Sequence, residues 1–494
     1  MRRLGMILAA GIVVLTAVAT VEAGTIAGNT VEERAVNGAK AYLKKIGVQK
    51  LELNMMLTSL FAKAQPKYLE EWERLTGIKI KTAGMEFGYT DIPAKIMAEA
   101  VAKTGQYDLF NHQMYMVPDA AESGVVAPLD EWAAVGKPYF DDIPKTLRNE
   151  MYYRGKLYAV FTDGDQTVMA LRKDILDLPE ARKAFKAKFG YEPGCPDTWK
   201  HWEDMASFYN GKKGQNFYGM TLEKDVYGAQ EYRARDFAYR WWQGRYASKG
   251  KLLFDRNMKP LIDGPEGIET TQEMISITKY MPKDIFGWGT PQNYPFFAQG
   301  NSFSISTFPS IVGYANKAQG TQVAGKVLAC AVPGSIVKGK LIRRSVQPAG
   351  TMYMVSRYSK HPEAAYWFIQ WFSGPEVSTR SVADPVGFWD PFRPPHGKDP
   401  RIADKYGSKD FVNITLENAK IAVPMLPLQG NREYFDALDV NLQEAFLGRT
   451  SAEEAMKRTA RQWEKITEDI GRKKQAEAWK FVVESGSYFD NMGY

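Results

Sequence analysis

The sequence predicts an α/β protein with two lobes. Segments rich in β-branched and aromatic residues alternate along most of the chain with segments of helical periodicity, an order typical of α/β folds. The chain has 494 residues, which is long for one hydrophobic core, so two lobes are expected. Aromatic residues form 13% of the chain, so some rings remain to line a site once the cores are filled.

The N-terminus predicts export. Two arginines follow Met1, residues 4–21 are almost entirely apolar, and Glu22 is followed by the small residues Ala23 and Gly24. This is the pattern of a signal peptide, here cleaved after Ala23. The alternative is a membrane anchor, but the apolar run falls short of the ~20 residues of a spanning helix. We therefore expect residues 1–23 to be a signal peptide.

The cysteines bear on localisation and on disulfide bonding. No cysteine stands directly after the cleavage site to accept a lipid. Only an outer membrane would then keep the exported protein near the cell, so we expect the protein in the periplasm. Cys195 and Cys330 are the two cysteines of the chain. A disulfide is possible in an oxidising compartment, but nothing in the sequence brings the two residues together. We therefore expect two buried free thiols.

Candidate elements follow one another along the chain. A helix is predicted over 31–46, within an N-terminal extension (24–50) for which we have no functional interpretation. Helices are also predicted at 92–102, 199–209, 266–279, 363–372 and over roughly the last 90 residues, where Ser451 and Glu454 form a capping box. Strands are predicted at 78–81, 107–110, 124–127, 156–161, 167–171, 217–220, 303–307, 327–332 and 351–355.

Two carboxylates stand in the turn between the strands 156–161 and 167–171. Asp163, Gly164 and Asp165 interrupt the two strand-like runs. Asp and Gly are common turn formers, so turn chemistry alone could explain both acids. Almost any polar residues would build such a turn, and the pair of acids therefore needs a further explanation.

Several function classes lack their motifs. The four histidines are scattered, with none at metal-binding spacing, so we expect no metal site and no cofactor. No nucleophile elbow or dinucleotide-binding glycine motif is present, and residues 334–340 fit a phosphate-binding loop only until Leu341 replaces the required hydroxyl. The net charge is +7, but basic and acidic residues alternate, so no nucleic-acid partner is expected.

A series of short motifs extends over nearly the whole chain in a characteristic order. They are YLEEWERLTG (68–77), YDLF (107–110), SGVVAPLD (123–130), GKLY (155–158), RKD (172–174), PDTW (196–199), FAQG (297–300), SKHPEAA (359–365), PMLP (424–427) and the helical segment 434–446. Each motif is weak alone. In this order the chain resembles the bacterial extracellular solute-binding proteins of family 1, the maltose-binding-protein-like receptors of ABC importers.

The resemblance implies a two-lobed periplasmic binding protein fold, with a ligand cleft between discontinuous lobes. Lobe 1 would contain residues 24–163 and 347–400, and lobe 2 would contain residues 164–346 and 401–494. The Asp-Gly-Asp turn would then lie at the first crossing between the lobes. Such a crossing forms the floor of the cleft, where ligand hydroxyl groups arrive when the lobes close.

A carboxylate at this crossing can accept charge-assisted hydrogen bonds from vicinal hydroxyl groups. The resemblance therefore implies ligand binding by Asp165 and Asp163, with turn chemistry as the alternative. Further candidates lie at strand ends or crossings: Asn111, His112 and Gln113 after strand 107–110; Glu223 after strand 217–222; Thr307 and Phe308, where family members place an aromatic platform; and Gly350 and Thr351 at the return crossing. For each of these, burial inside a lobe is the competing hypothesis.

A proline-rich loop at 388–393 adds three candidates. Family members carry a related loop beside the cleft. Trp389 could stack on a sugar ring while Asp390 and Arg393 hydrogen-bond its hydroxyl groups. Alternatively, Arg393 pairs with Asp390 and holds the loop in place. Trp241 and Trp242 are adjacent on a predicted helix and point to different sides, so at most one faces the cleft.

The resemblance implies a receptor and not an enzyme. The protein would capture a sugar, oligosaccharide or polyol by hinge closure, act as a monomer, and deliver its ligand to an inner-membrane ABC permease. The alternative is a secreted carbohydrate-active enzyme with Asp165 and Glu223 as its carboxylate pair. A peptide or anion receptor would fit the positive net charge, but the sequence has no evident arginine cluster.

Overall fold

The computed structural model describes residues 25–83, 91–347 and 350–485. The predicted signal peptide, 1–23, lies outside these ranges. Across the described residues, no helix has both the length and the apolar character needed to cross a bilayer.

Helices and strands alternate as the sequence predicts. Within the described residues the helices α1 to α20 cover, in chain order, Val31–Lys45, Gln65–Thr76, Ile92–Ala102, Val117–Ser123, Asp130–Gly136, Lys145–Arg148, Lys173–Leu176, Pro179–Phe189, Trp199–Phe208, Ala238–Ser248, Pro265–Thr278, Thr290–Ala298, Ser310–Lys317, Pro362–Ser373, Pro375–Val382, Pro400–Tyr406, Lys409–Lys420, Asn431–Phe446, Ala452–Ile470 and Arg472–Ser485. The strands β1 to β16 cover Leu51–Met56, Ile78–Ala83, Leu109–Gln113, Tyr152–Tyr153, Lys156–Leu157, Ala159–Phe161, Val168–Arg172, Asn216–Phe217, Met220–Thr221, Ser304–Thr307, Val327–Cys330, Gly334–Val337, Lys340–Arg343, Ser345–Val346, Thr351–Val355 and Ala422–Val423.

The first large sheet has the strand order β2-β1-β3-β15-β6. β1 is parallel to β2 and β3, whereas β15 is antiparallel to β3 and β6. Helix α14 packs against α1 and β15, and its residues from Ala364 to Ser373 are all buried. Because this helix is apolar on nearly every side, it lies at the centre of the core of this sheet.

The second sheet has the order β10-β7-β11, with both outer strands antiparallel to β7. Aromatic side chains fill the core beside it. Tyr209 and Phe303 stack with ring centroids 4.3 Å apart. The indole nitrogen of Trp202 donates a hydrogen bond to Ser304 Oγ at 2.8 Å, which attaches α9 to the edge strand β10.

The chain crosses between the two sheets more than once. It leaves the first sheet at Phe161 and enters the second at Val168, so the Asp-Gly-Asp turn occupies this crossing. It returns to the first sheet at Thr351, after β14. The C-terminal helices α18 and α19 pack on α11, which belongs to the side of the second sheet. Each sheet is therefore covered by segments that are distant in sequence.

Helix ends follow the capping signals of the sequence. Thr30 and Glu33 form a complete capping box at the start of α1. Ser451 caps α19 by accepting a hydrogen bond from the main-chain N–H of Glu454. The carboxylate of Glu454 does not complete this second box, because it accepts hydrogen bonds from Arg458 and Arg461.

Some predicted elements differ from the structure. Residues 124–127 do not form a strand, and Val126 makes an isolated bridge with Ser356. The predicted strand 217–220 is a hairpin of the two short strands β8 and β9. Strand β3 begins at Leu109 and continues to Gln113, two or three residues later than predicted. Polar residues occupy its second half because tertiary pairing with β15 overrides their low strand propensity.

The expectation of two free thiols was wrong. Cys195 and Cys330 form a disulfide, with their Cα atoms 5.4 Å apart. Cys195 precedes α9, and Cys330 is the last residue of β11. The two residues are 135 positions apart, so only the packing of α9 beside the second sheet brings them together.

The disulfide should stabilise this part of the molecule by restricting the unfolded chain. We expect its reduction to lower the free energy of unfolding by about 2–4 kcal/mol. Chemical denaturation with and without a reductant measures the difference. The double variant Cys195→Ser/Cys330→Ser is the control, because its stability should match that of the reduced protein and should not respond to the reductant. Equal stability of the oxidised and reduced protein would contradict this expectation.

Candidate ligand-binding cleft

Asp163 holds together three chain segments where the sheets meet. Its carboxylate accepts hydrogen bonds from the main-chain N–H groups of Asp390, at 2.8 Å, and Thr351. The N–H of Gly164 donates to the carbonyl of Asp390 at 3.1 Å, and the N–H of Thr162 donates to the carbonyl of Thr351 at 3.0 Å. Asp163 is 1% exposed. Its carboxylate therefore binds the protein's own main chain.

Asp165, two residues further on, lies in a different environment. It is partly exposed, and its carboxyl group is hydrogen-bonded to that of Asp390. Asp390 also accepts a hydrogen bond from the hydroxyl of Tyr406. One oxygen from each of Asp163, Asp165 and Asp390 lies within 4.8 Å of the others. These three oxygens could ligate a hard cation, but Asp163 and Asp390 already accept hydrogen bonds from protein donors.

Burial raises the pKa values of the Asp163 and Asp165 carboxyl groups well above the usual range. Repulsion within the cluster raises both pKa values further. Asp390 raises the pKa of Asp163, and Asp163 and Asp390 together raise that of Asp165. The cations Arg240 and Lys405 oppose these shifts. A hydrogen bond between two carboxyl groups requires a proton on one of them. The Asp165–Asp390 pair can therefore offer both a donor and an acceptor to a ligand hydroxyl group.

A buried aromatic cluster, here called the aromatic wall, belongs to the second sheet and its helices; its members Tyr232, Trp241 and Phe308 are 0%, 3% and 7% exposed. Tyr232 stacks on Trp241 with ring centroids 4.3 Å apart, and Phe308 meets Tyr232 edge-on at 5.5 Å. The indole nitrogen of Trp241 donates to Ser306 Oγ at 3.1 Å, and the hydroxyl of Thr307 donates to that of Tyr232 at 3.2 Å. Burial raises the pKa of Tyr232, with a smaller contribution from Asp165, which places the carboxyl cluster near this wall.

Residues from both sides line a narrow cleft next to the carboxyl cluster. Gln113 and Tyr115, from the side of the first sheet, face residues of α10 and α18, among them Arg240. Gln113 is fully buried, and neither polar atom of its amide has a hydrogen-bond partner in the part of the chain that the structure describes. Such an amide is able to bind a polar group that enters the cleft.

Direct contacts join the two sides near this cleft. The side-chain amide of Asn431 donates to the carbonyl of Tyr115. The N–H of Gly430 donates to Asp119 Oδ1 at 2.8 Å. Burial raises the pKa of Asp119 to about 6, although the hydrogen bond from Gly430 opposes the shift. Polar contacts of this kind can form and break as two lobes move.

Close packing at the return crossing explains why residue 350 is a glycine. A Cβ atom at Gly350 would lie 2.4 Å from the amide nitrogen of Gln347 and 2.7 Å from the carbonyl oxygen of Asp163. Any larger residue would displace the Asp163 segment. The neighbouring residue Thr351 is fully buried and paired with Gln113 in the sheet.

Three candidates from the sequence have other positions or partners. Trp389 is fully buried and stacks on Phe61 at 4.9 Å, so it belongs to the core of the first sheet and is not a ligand platform. Arg393 is fully buried near Asp142, at 3.7 Å, so the proposed pairing with Asp390 was wrong. Glu223 is exposed and lies outside the carboxyl cluster.

The remaining candidates are buried at the ends of their strands. Asn111, His112 and Gln113 lie within β3 and not after it, and they pair with Tyr353, Met352 and Thr351 of β15. Thr307 and Phe308 lie at and just after the end of β10, as predicted. Of the two adjacent tryptophans, Trp241 joins the aromatic wall, whereas Trp242 points away and donates to Thr271.

Sequence reasoning missed Tyr232, Arg240 and Tyr406. None of them stands in a recognisable motif. The one available signal was their neighbourhood: Arg240 immediately precedes the tryptophan pair, and Tyr232 lies eight positions earlier in an aromatic-rich stretch. Tyr406 carries no such signal, because its contact with Asp390 depends on the packing of α16.

Comparison with known proteins identifies the class of this fold and cleft. A sequence model of the family described as bacterial extracellular solute-binding protein matches residues 57–379. The chain therefore belongs to this family. None of the curated proteins compared with the chain matches it.

Solved structures share the fold. Maltose-bound MalE3 of T. maritima aligns with a TM-score of 0.68 and 18% identity, over 84% of this chain and 100% of that chain. A solute-binding protein from Agrobacterium radiobacter K84 in complex with ribitol aligns with a TM-score of 0.67 and 20% identity, over 84% of this chain and 98% of that chain. A solute-binding protein from Agrobacterium vitis S4 with bound D-mannitol aligns with a TM-score of 0.66 and 19% identity, over 85% of this chain and 99% of that chain. The fold is that of the two-lobed solute-binding proteins of ABC transporters.

The role of Asp163 can be tested by removing its acceptor oxygens. Asp163→Ala leaves two buried N–H groups without an acceptor, and each such donor costs about 1–3 kcal/mol. We expect the free energy of unfolding to fall by about 2–4 kcal/mol in chemical denaturation. Asp163→Asn keeps an acceptor oxygen and removes a negative charge from the cluster, so its loss should be smaller. Equal losses in the two variants would contradict the role of Asp163 as an acceptor.

Proposed function

We propose that the protein is a periplasmic receptor of an ABC importer that captures a sugar, oligosaccharide or polyol. The observation that carries the proposal is the position of the Asp165–Asp390 carboxyl pair close to the aromatic wall of Tyr232, Trp241 and Phe308. Carboxyl groups bind hydroxyl groups, and aromatic faces cover the apolar C–H surface of a sugar. The ligands of the similar structures, maltose, ribitol and D-mannitol, fall in this chemical class.

The proposed lobes are residues 24–163 with 347–400, and 164–346 with 401–494. The crossing at the Asp-Gly-Asp turn and the return before Thr351 support this division. Ligand would be enclosed when the lobes rotate about these crossings. The contacts of Tyr115 and Asp119 with the start of α18 would belong to the closed form.

The partner and location follow from the same proposal. A receptor of this family would present its closed form to an inner-membrane ABC permease. The predicted signal peptide and the extracellular family support export, and we place the protein in the periplasm as a monomer.

The geometry of the acids supports binding over catalysis. A retaining glycosidase needs two carboxyl groups about 5–5.5 Å apart, with the scissile bond between them. Oxygens of Asp165 and Asp390 lie within 4.8 Å of each other, which is closer than this spacing. Glu223, the other candidate, is exposed. The carboxyl pair therefore suits the recognition of hydroxyl groups.

A screen of sugars, polyols and sugar phosphates by thermal shift tests the proposed function. A ligand that binds only the folded protein raises its melting temperature. The expected hit is a neutral sugar or polyol that binds one-to-one in titration calorimetry and is recovered unchanged after long incubation. A hydrolysed ligand would favour the enzyme, and a response to sugar phosphates alone would favour an anion receptor.

Asp165 should contribute to ligand affinity more than to stability. Asp165→Ala removes a charge-assisted hydrogen bond to the ligand, worth roughly 1.5–3 kcal/mol. The dissociation constant of the ligand identified in the screen should rise about tenfold to a hundredfold or more in titration calorimetry. The free energy of unfolding should change little, because relief of the repulsion from Asp163 and Asp390 offsets the lost hydrogen bond to Asp390.

Glu223→Ala provides the matched control for Asp165→Ala. It also removes one carboxylate, but from an exposed position outside the cluster. We expect this variant to retain full affinity. If Asp165→Ala also retains full affinity while losing stability, its carboxylate serves only the turn.

A further inference from the structure

A small cavity, here called the arginine cavity, lies beside the aromatic wall and shares Trp241 with it. Three arginines, Arg240, Arg245 and Arg344, line this cavity, and they are 7%, 1% and 7% exposed. None of the described residues that line it is an Asp or a Glu. Part of the lining comes from residues 285–362, a stretch that contains no acid. The arginine cavity therefore concentrates buried positive charge without a carboxylate in its wall.

The side chains around the arginine cavity offer mainly hydrogen-bond donors. A guanidinium group carries five N–H donors and no acceptor. Arg245 lines the cavity, and its Nε–H has no hydrogen-bond partner in the part of the chain that the structure describes. The Ser306 hydroxyl accepts a hydrogen bond from the indole of Trp241, at 3.1 Å, and can donate its own proton to a further group. A buried N–H without an acceptor is costly, so this lining favours an acceptor inside the cavity.

Arg245 is held in place by partners that do not neutralise its surroundings. Its guanidinium group lies over the ring of Trp199, 4.2 Å from the centroid. Its Nη2 atom is 3.3 Å from a carboxylate oxygen of Glu231. The same carboxylate pairs with Arg233 at 2.6 Å, so one negative charge serves two buried guanidinium groups. An anion in the arginine cavity would compensate part of the remaining positive charge.

The size of the arginine cavity restricts which anion can enter. The cavity has room for about one water-sized group. A sulfate, a phosphate or a carboxylated sugar exceeds this size, whereas a chloride ion is only slightly larger than a water molecule. Water itself would accept hydrogen bonds from the lining but would leave the positive charge uncompensated. The combination of small size, donor groups and positive charge therefore favours a monatomic anion.

We propose that the arginine cavity binds a single chloride ion. The ion accepts a hydrogen bond from Arg245 Nε and offsets the charge of the guanidinium groups around it. Arg240 also lines the ligand cleft, and Trp241 belongs to the aromatic wall, so the ion supports two side chains beside the solute. The chloride site is separate from the solute site and can be tested without any solute.

Thermal denaturation in sodium chloride and in sodium gluconate, at equal ionic strength and without solute, tests the proposal. Gluconate is too large for the cavity and serves as the reference anion. We expect saturating chloride to raise the melting temperature by roughly 1–3 °C relative to gluconate, along a curve that reaches a plateau. The same melting temperature in both salts, or a rise without a plateau, would overturn the proposal.

Two adjacent arginines provide a variant and its matched control. Arg344→Gln removes one guanidinium group from the cavity and should abolish the rise that is specific to chloride. Arg343→Gln removes the same charge from the neighbouring residue, which does not line the cavity and pairs with Asp197. This control should keep the full rise. Equal responses of the two variants to chloride would overturn the proposal in favour of a general salt effect.

Bromide allows a direct measurement that requires no variant. It is a halide of similar size to chloride and can be located in a crystal by its anomalous X-ray scattering. In crystals of the unmodified protein soaked in sodium bromide, we expect an anomalous peak inside the arginine cavity, within hydrogen-bond distance of Arg245 Nε. A water molecule in the cavity without anomalous signal would overturn the proposal, even if Arg344→Gln fails to fold.

Discussion

The buried carboxylate of Asp163 is the interaction on which the geometry of the cleft depends. It accepts hydrogen bonds from the main-chain N–H groups of Thr351 and Asp390, which belong to two segments distant from it in sequence. A carboxylate can leave water only where hydrogen bonds replace its hydration. The three segments therefore have to stay together for this burial to be tolerated. The position of Asp165, two residues further on, follows from this arrangement.

The same crowding affects the protonation of the carboxyl cluster. Asp165 and Asp390 lie beside a third carboxylate that is already satisfied, and burial and repulsion raise the pKa of Asp165. Arg240 and Lys405 offset part of the negative charge. In the receptor that we propose, ligand hydroxyl groups would donate hydrogen bonds to these carboxyl groups. A solute bound in this way would relieve part of the repulsion between the carboxyl groups.

Sequence reasoning was most accurate for local features. The helix at 92–102 matches α3 in full, because apolar spacing and a proline at the first turn act within one helix. Asp163 and Asp165 were correctly placed between two strands. Trp389 was misassigned because an aromatic residue in a proline-rich loop fits a core as well as a cleft. Only its stacking on Phe61 distinguishes the two.

The sequence by itself determined the α/β class, the order of the elements and the turn that carries the two acids. These depend on hydrophobic period, capping and turn chemistry, which act over a few residues. The tertiary structure decided that Asp163 binds the Asp390 segment, 227 positions away, and that Cys195 pairs with Cys330, 135 positions away. Contacts at such separations depend on how whole lobes pack, and no local pattern in the chain encodes them.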